Sequence, residues 1–463
     1  MIHRNLKEAG LLYFAAALFN KGIAFLTIPI FTRLLSPSDY GVVNTYNSWV
    51  DILTVFLSMA LYMAIRTSYI DFPERKNEFL STVMTFTFLL AFIAFMLTIL
   101  LQRFIHRTFL YMIFLCILQG FSAAVLMNYS QFLMMDYKYR LRTMYMVLPN
   151  ALSVVISIFS IIYVVKENLY NGRIVPTALV FVVCGAFIMI RTYVKSPPKI
   201  DLELLTYGLK ISVPLVFHGI ALSMLSQFDR TMIAYYADTS QTGIYSLVYN
   251  FSMITTVITI ALQGLWLPWF MDSLKKKKYR IINKRARDYT IVMSTSIGAL
   301  ILVGPELLKF ISDKTYWDGI QILPPLMISN YIIFAYTLYV NVEHFHKKTI
   351  SIAVFTVIAA AVNVALNYLL IPSYGYIAAA YTTLFAYICC FFLHMINSQK
   401  LEKEALPVQI FMGSIFQLLL ITTVFYFVIE NWIIRWGLAI LYVIIILYRE
   451  RNKIFEFVTK KGC

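Results

Sequence analysis

Apolar residues run in stretches of about twenty along almost the whole chain, each closed by a short polar gap. Fourteen stretches can be drawn: residues 11–32, 42–65, 80–101, 109–134, 144–165, 174–190, 211–229, 242–271, 289–308, 320–342, 351–371, 377–397, 408–429 and 432–448. A helix rises about 1.5 Å per residue, so about 20 apolar residues cross the hydrocarbon of a bilayer. The pattern predicts an all-α integral membrane protein of about 14 transmembrane helices. The eighth stretch is long enough to tilt or to start outside the bilayer. The last two stretches share a very short hairpin, Glu430 to Arg435.

The stretches repeat. Shifted by 197 residues, the first falls on the seventh, and Lys21 meets His218 while Arg33 meets Arg230. The loop that follows is five residues longer in the second copy, so the offset becomes 202. Ser38 then meets Ser240, Gly41 meets Gly243, Ile52 meets Ile254, Thr54 meets Thr256 and Val55 meets Val257. Six spans separate the copies, an even number, so the repeat is parallel. The expected architecture is two six-helix lobes, residues 1–200 and 201–400, around a central cavity, with a further helix pair in 401–463. The connector between lobes is the polar, Pro-rich segment Lys195 to Asp201.

Charge orients this frame. Of 463 residues, 60% are hydrophobic and 13% charged, against about 25% charged in soluble domains. Placing the N-terminus in the cytoplasm puts 29 of the 39 Lys and Arg in inside segments and 9 in outside loops, with Lys21 within a span. The positive-inside bias therefore predicts both termini in the cytoplasm. The densest run spans Lys275, Lys276, Lys277, Lys278, Arg280, Lys284, Arg285 and Arg287. It reads as a topogenic loop lying on anionic headgroups rather than a nucleic-acid or regulatory site. The net charge of +16 has the same explanation. The N-terminus leads into a full-length span, which predicts no cleavable signal. Four of the five cysteines fall in spans and Cys463 ends the chain, so no disulfide is expected.

Catalytic signatures are lacking. No outside loop exceeds about 15 residues, too little surface to hold two sugar substrates for polymerisation. The chain has neither a Walker-type phosphate loop nor a Gly-x-Ser-x-Gly elbow. Glu343, His344 and His346 lack the i, i+4 histidine spacing of a zinc helix, and they stand beside Lys347 and Lys348. They read as a solvated span end. Neither a metal nor a cofactor is expected, and transport is the reading left.

Ionisable groups in mid-bilayer cost at least about 2.5–3.5 kcal/mol each on insertion scales, so they usually face a cavity. Lys21, Asp51 and His218 fall near the middle of spans one, two and seven. Lys21 and Asp51 form either a buried packing pair or a cationic cavity whose charge Asp51 tunes; Lys21 could also face lipid. His218 serves packing or the same cavity. Arg33, Asp229 and Arg230 lie at outer ends and Arg66 at an inner end, as anchors or as lining of the mouth. Lys21, Arg33, His218, Arg230 and Arg66 are the candidate substrate-binding cations. Asp51, Asp229 and Glu343 are the carboxylates for cavity charge or ion coupling. Cations in an apolar chamber suit a pyrophosphate, and Tyr46, Trp49, Tyr245 and Tyr249 could stack on sugars.

The segment Pro29 to Gly41, PIFTRLLSPSDYG, resembles the end of the first helix in bacterial polysaccharide flippases of the multidrug/oligosaccharidyl-lipid/polysaccharide exporter superfamily. Asp229-Arg230, Gly243 to Tyr249 and Gln263 to Trp269 resemble the same family around helices seven and eight. The resemblance implies two six-helix bundles with alternating access in a bacterial cytoplasmic membrane. It implies a polyprenyl-pyrophosphate-linked oligosaccharide as cargo. The partners it implies are that glycan, membrane lipids, glycosyltransferases and a polysaccharide polymerase, with no nucleic acid. By analogy with peptidoglycan-precursor flippases, residues 408–448 would form a groove for the lipid tail. This chain offers fewer arginines in its first helix, which speaks against a peptidoglycan precursor. A drug or cation antiporter of the same superfamily is the alternative, and a membrane-embedded polymerase or transferase the next. An antiporter cavity should be acidic, which Lys21 and His218 oppose.

Overall fold

The computed structural model describes residues 22–23, 25–104 and 107–459, and the side chains within them apart from residues 107–108, 214, 217–218 and 452–459. The protein is a multi-pass membrane protein, helical nearly throughout, with no strand among the described residues. Fifteen α-helices are described: α1 Phe25–Leu34, α2 Pro37–Ser58, α3 Leu61–Asp71, α4 Lys76–Leu101, α5 Arg107–Met135, α6 Tyr139–Phe159, α7 Asn171–Lys195, α8 Leu202–Tyr236, α9 Thr239–Ser252, α10 Thr255–Lys275, α11 Tyr279–Ile311, α12 Leu323–Phe345, α13 Thr349–Leu401, α14 Gln409–Phe427 and α15 Trp432–Thr459. Eleven segments of the described residues are long and apolar enough to cross a membrane. Large side chains such as Phe88, Phe92, Leu97, Phe187 and Phe416 are exposed, the surface a lipid solvent requires.

Local chemistry sets the helix starts. In the Ser-Pro-Ser-Asp turn, the Ser36 hydroxyl accepts from the Asp39 N–H at 3.1 Å, and Pro37 takes the first turn, where its missing N–H costs nothing. Asp201 caps α8 by accepting from the N–H groups of Glu203 and Leu204. Breaks divide some spans. Met59 and Ala60, both left-handed, separate α2 from α3, and the eighth stretch is two helices parted at Met253–Ile254. At 53 residues α13 would measure about 80 Å if straight, far beyond one crossing. Gly375, with φ of 57°, turns it in the middle, separating the eleventh and twelfth stretches.

The basic run after α10 is not the loop its composition suggests. Only Lys276 to Lys278 lie between helices; Arg280 to Arg287 form the first turns of α11. Lys and Arg are good helix formers. Here they share a helix with Ile282 and Ala286, which are fully buried, and Arg285 lies 4.2 Å over the Trp269 ring.

Contacts divide the chain into two compact units. The first holds residues up to Gly243 together with Asn367–Gly375; the second holds Ile244–Leu366 and Tyr376 onward. In the first unit α2 packs on α5 and α8, and α7 packs on α5 and α6. One core within it joins Leu61, Phe79, Met84, Leu133, Ile188 and Leu204. Near the Lys/Arg-rich ends, burial raises the Asp136 carboxyl, but hydrogen bonds from Lys138, Lys76 and Tyr69 outweigh it and hold the group at about 2. In the second unit α11 packs on α10, α12, α14 and α15.

The paired residues of the repeat meet within the first unit. Gly41 on α2 packs against the Thr239 carbonyl, and Gly243 on α9 against the Pro37 carbonyl. With the offset of 202, Thr239 is the counterpart of Pro37, so the contact is reciprocal. The hydroxyls of Ser38 and Thr239 lie 2.7 Å apart across the same crossing. A Cβ at either glycine would collide with the facing backbone, which explains glycine at both positions.

Candidate functional site

A polar network sits where α2 faces α8. Ser48 and Asp51 are three residues apart on α2, and Gln227 and Arg230 are three apart on α8, so each pair shares a face. Gln227 joins them. Its Nε2 donates to Asp51 Oδ2 at 3.2 Å, and its Oε1 accepts from Ser48 Oγ at 3.3 Å and from Arg230 Nη1. Arg230 Nη1 also donates to the Ser226 carbonyl at 3.3 Å. Arg230 is buried, only 3% exposed, whereas Asp51 belongs to the exposed face. Arg230 was expected at the outer end of a span. In the structure α8 continues six residues past it to Tyr236, and Gln227 supplies a partner of the kind a buried cation needs.

Asp229, one residue earlier, points about 100° away around the helix. Its Oδ1 accepts from Asn367 Nδ2 at 2.6 Å, and both residues are almost wholly buried. Arg66 stands apart from this network, its Nε donating to Gln131 Oε1 at 3.2 Å. Arg33 is exposed in the last turn of α1. Lys21 lies outside the described residues, and His218 sits on α8 with its side chain outside them. Trp49 meets Phe228 edge to face beside the network. Tyr46 is buried and donates to Gln119 Oε1 at 2.9 Å.

In the second unit, Glu343 is not at a solvated span end. It is fully buried on α12, with Oε2 2.7 Å from His394 Nδ1 and Oε1 accepting from Asn397 Nδ2 at 2.6 Å. Its neighbours diverge: His344 is exposed, while His346 Nε2 lies 3.0 Å from Glu402 Oε1. Adjacent positions on a helix face different ways, so three neighbouring chemical groups need not make one site. Among the described residues no group of three His, Cys, Asp or Glu side chains is placed to hold a metal ion. Tyr245 and Tyr249 are both buried, with ring centroids 5.8 Å apart.

Several partners escaped the sequence reading: Gln227, Asn367, His394 and Asn397. Uncharged or aromatic-like, they do not stand out in an apolar run. Arg173, which the sequence reading did not single out, places its Nη1 on Ser157 Oγ and the Ser153 carbonyl, with its guanidinium 4.4 Å from the Phe31 ring centroid.

Residues 6–274 match a family described as polysaccharide biosynthesis protein. The chain is 21% identical over 369 residues to Lsg locus protein 1 of Haemophilus influenzae, covering 76% of this chain and 88% of the relative. Its fold is similar to that of the lipid II flippase MurJ in an inward closed conformation, with a TM-score of 0.74 and 15% identity, covering 96% of this chain and all of that one. It is also similar to an inward-facing multidrug resistance MATE transporter, with a TM-score of 0.61 and 16% identity over 83% of this chain and 96% of that one. These structural likenesses concern the fold.

Proposed function

The chain belongs to the polysaccharide biosynthesis protein family, and from that premise we propose that it is a flippase of the multidrug/oligosaccharidyl-lipid/polysaccharide exporter superfamily that moves polyprenyl-pyrophosphate-linked oligosaccharide repeat units across the bacterial cytoplasmic membrane. The headgroup enters a cationic chamber, the polyprenyl tail stays in lipid, and access alternates between the two faces. No bond of the cargo is made or broken.

The observation that carries this reading is Arg230. A guanidinium inside an apolar helix is costly and usually marks a pathway, and this one is buried and held by Gln227, which is also tied to Asp51. A fixed guanidinium presents the planar fork that suits phosphate. Lys21, Arg33 and His218 belong to the same proposal as further cations. Asp229 and Glu343, both buried and both receiving amide hydrogen bonds, are the carboxylates proposed to couple transport to an ion or to the membrane potential.

The test is complementation in a strain lacking the gene. Lys21→Ala and Arg230→Ala are expected to insert at wild-type levels yet leave lipid-linked repeat units on the inner leaflet and the surface polymer absent. Full complementation by both variants would remove the cations from the mechanism. Resistance to cationic dyes with unchanged surface glycans would instead select the antiporter reading.

A further inference from the structure

A cavity of about 280 Å³ opens inside the first unit, between α5, α6 and α7. It lies apart from the Gln227 network and has no role in the proposed function. One wall is polar: Ser130 and Gln131 from α5, and Arg142, Tyr145 and Asn150 from α6. The remainder is apolar, with Met127 and Phe181 prominent.

Its depth follows from helix geometry. Arg142 is the fourth residue of α6 and Asn150 the twelfth, which puts them about 5 and 17 Å along the helix. That helix starts just after Asp136 and Lys138 and carries Arg140 in its first turn, on the Lys/Arg-rich side of the protein. The cavity therefore runs from headgroup depth toward the middle of the hydrocarbon.

Its charge is positive. Arg142 Nε donates to Ser130 Oγ at 3.0 Å, which fixes the guanidinium against the wall. Gln131 accepts from Arg66 at 3.2 Å, bringing a second guanidinium to the adjoining surface. No Asp or Glu lines the cavity among the described residues. The nearby Asp136 already serves Lys76 and Lys138. Tyr145 is 7% exposed, and its hydroxyl has no hydrogen-bond partner. A buried polar atom left unsatisfied implies a missing partner. Basic pockets between transmembrane helices on the cytoplasmic side take phosphorylated lipid headgroups.

We propose that this cavity binds the phosphate headgroup of an anionic lipid. The guanidinium of Arg142, with Arg66 beside it, faces the phosphate. The Tyr145 hydroxyl donates to it, and the start of the hydrocarbon chain lies along Met127 and Phe181. Two lipids carry that headgroup chemistry, a bulk phospholipid and a polyprenyl phosphate. The site does not depend on the transport reading, because binding can be measured without transport.

The experiment is native mass spectrometry of the purified full-length protein, with lipid-dependent thermal stabilisation as a second readout. The probes are phosphatidylglycerol, a polyprenyl phosphate and, as neutral control, diacylglycerol. The wild type is expected to retain a phosphate-bearing lipid and not diacylglycerol. Arg142→Gln should weaken that retention about tenfold, the scale of a lost charge-assisted hydrogen bond. Tyr145→Phe, which removes one oxygen, should weaken it about threefold while the lipid-free melting temperature stays unchanged. Selective retention of phosphatidylglycerol assigns a resident phospholipid, and selective retention of polyprenyl phosphate assigns the carrier lipid. Equal retention of diacylglycerol, or undiminished retention in Tyr145→Phe, would overturn the site. If Arg142→Gln does not fold, Tyr145→Phe alone decides.

Discussion

Arg435 shows what a single residue can contribute once its partner is known. It has no exposed surface, donates to both oxygens of Glu306 at 2.8 and 2.5 Å, and donates to the Leu302 carbonyl at 3.0 Å. Trp436 Nε1 adds a bond to Glu306 at 3.2 Å. From the sequence Arg435 was simply the end of a short hairpin. Its partner is 129 positions away, a distance that no local pattern bridges. Removing one member of a buried pair leaves the other charge uncompensated and costs about 3–5 kcal/mol, whereas replacing both with apolar residues can be close to neutral. Glu306→Gln is therefore expected to lower the melting temperature in detergent sharply, and the double variant Glu306→Leu with Arg435→Met to recover most of the loss. A double variant at least as unstable as the single would show that the loss is not the cost of leaving the Arg435 charge uncompensated. The same blindness applied at the candidate site. Asp51 was legible as a charge inside an apolar run, and Asp229, Arg230 and Glu343 as charges at span ends, but Gln227, Asn367, His394 and Asn397, which hold those charges, were not.

Helices were legible because apolar runs of membrane length have one physical solution. Their ends were less so. Lys- and Arg-rich boundaries look like loops by composition, yet Arg280 to Arg287 continue α11, since long cationic side chains reach the headgroups while their stems lie along apolar surface. The Gly375 turn falls in the gap between the eleventh and twelfth stretches, whereas the Met253–Ile254 break lies inside the eighth and leaves no mark in hydropathy. The crossing of α2 and α9 was half legible: the offset of 202 paired Gly41 with Gly243, but not with each other in space. Two predictions test that crossing. Gly41→Ala must push a Cβ into the Thr239 carbonyl and should destabilise by about 1–3 kcal/mol, the usual cost of overpacking; an unchanged melting temperature would mean the helices are farther apart. Cysteines at Ser38 and Thr239, whose hydroxyls are 2.7 Å apart, should cross-link on mild oxidation in a background without native cysteines. Failure to cross-link would count equally against it.

For the molecule as a whole, the membrane class and the family were legible in hydropathy and a few motifs. What such patterns cannot reach is the cargo, because specificity depends on a handful of side chains brought together from distant helices. The account stands on cations held inside the membrane to receive a phosphorylated headgroup. Its most direct test is reconstitution of the purified protein into liposomes carrying a labelled polyprenyl-pyrophosphate oligosaccharide in the outer leaflet, with the fraction shielded from an external glycosidase followed over time. The account predicts that the glycan becomes shielded faster than in protein-free vesicles, and that Arg230→Ala and Lys21→Ala each return the rate to the protein-free value. Equal rates with and without the wild-type protein, or wild-type rates in both variants, would contradict it.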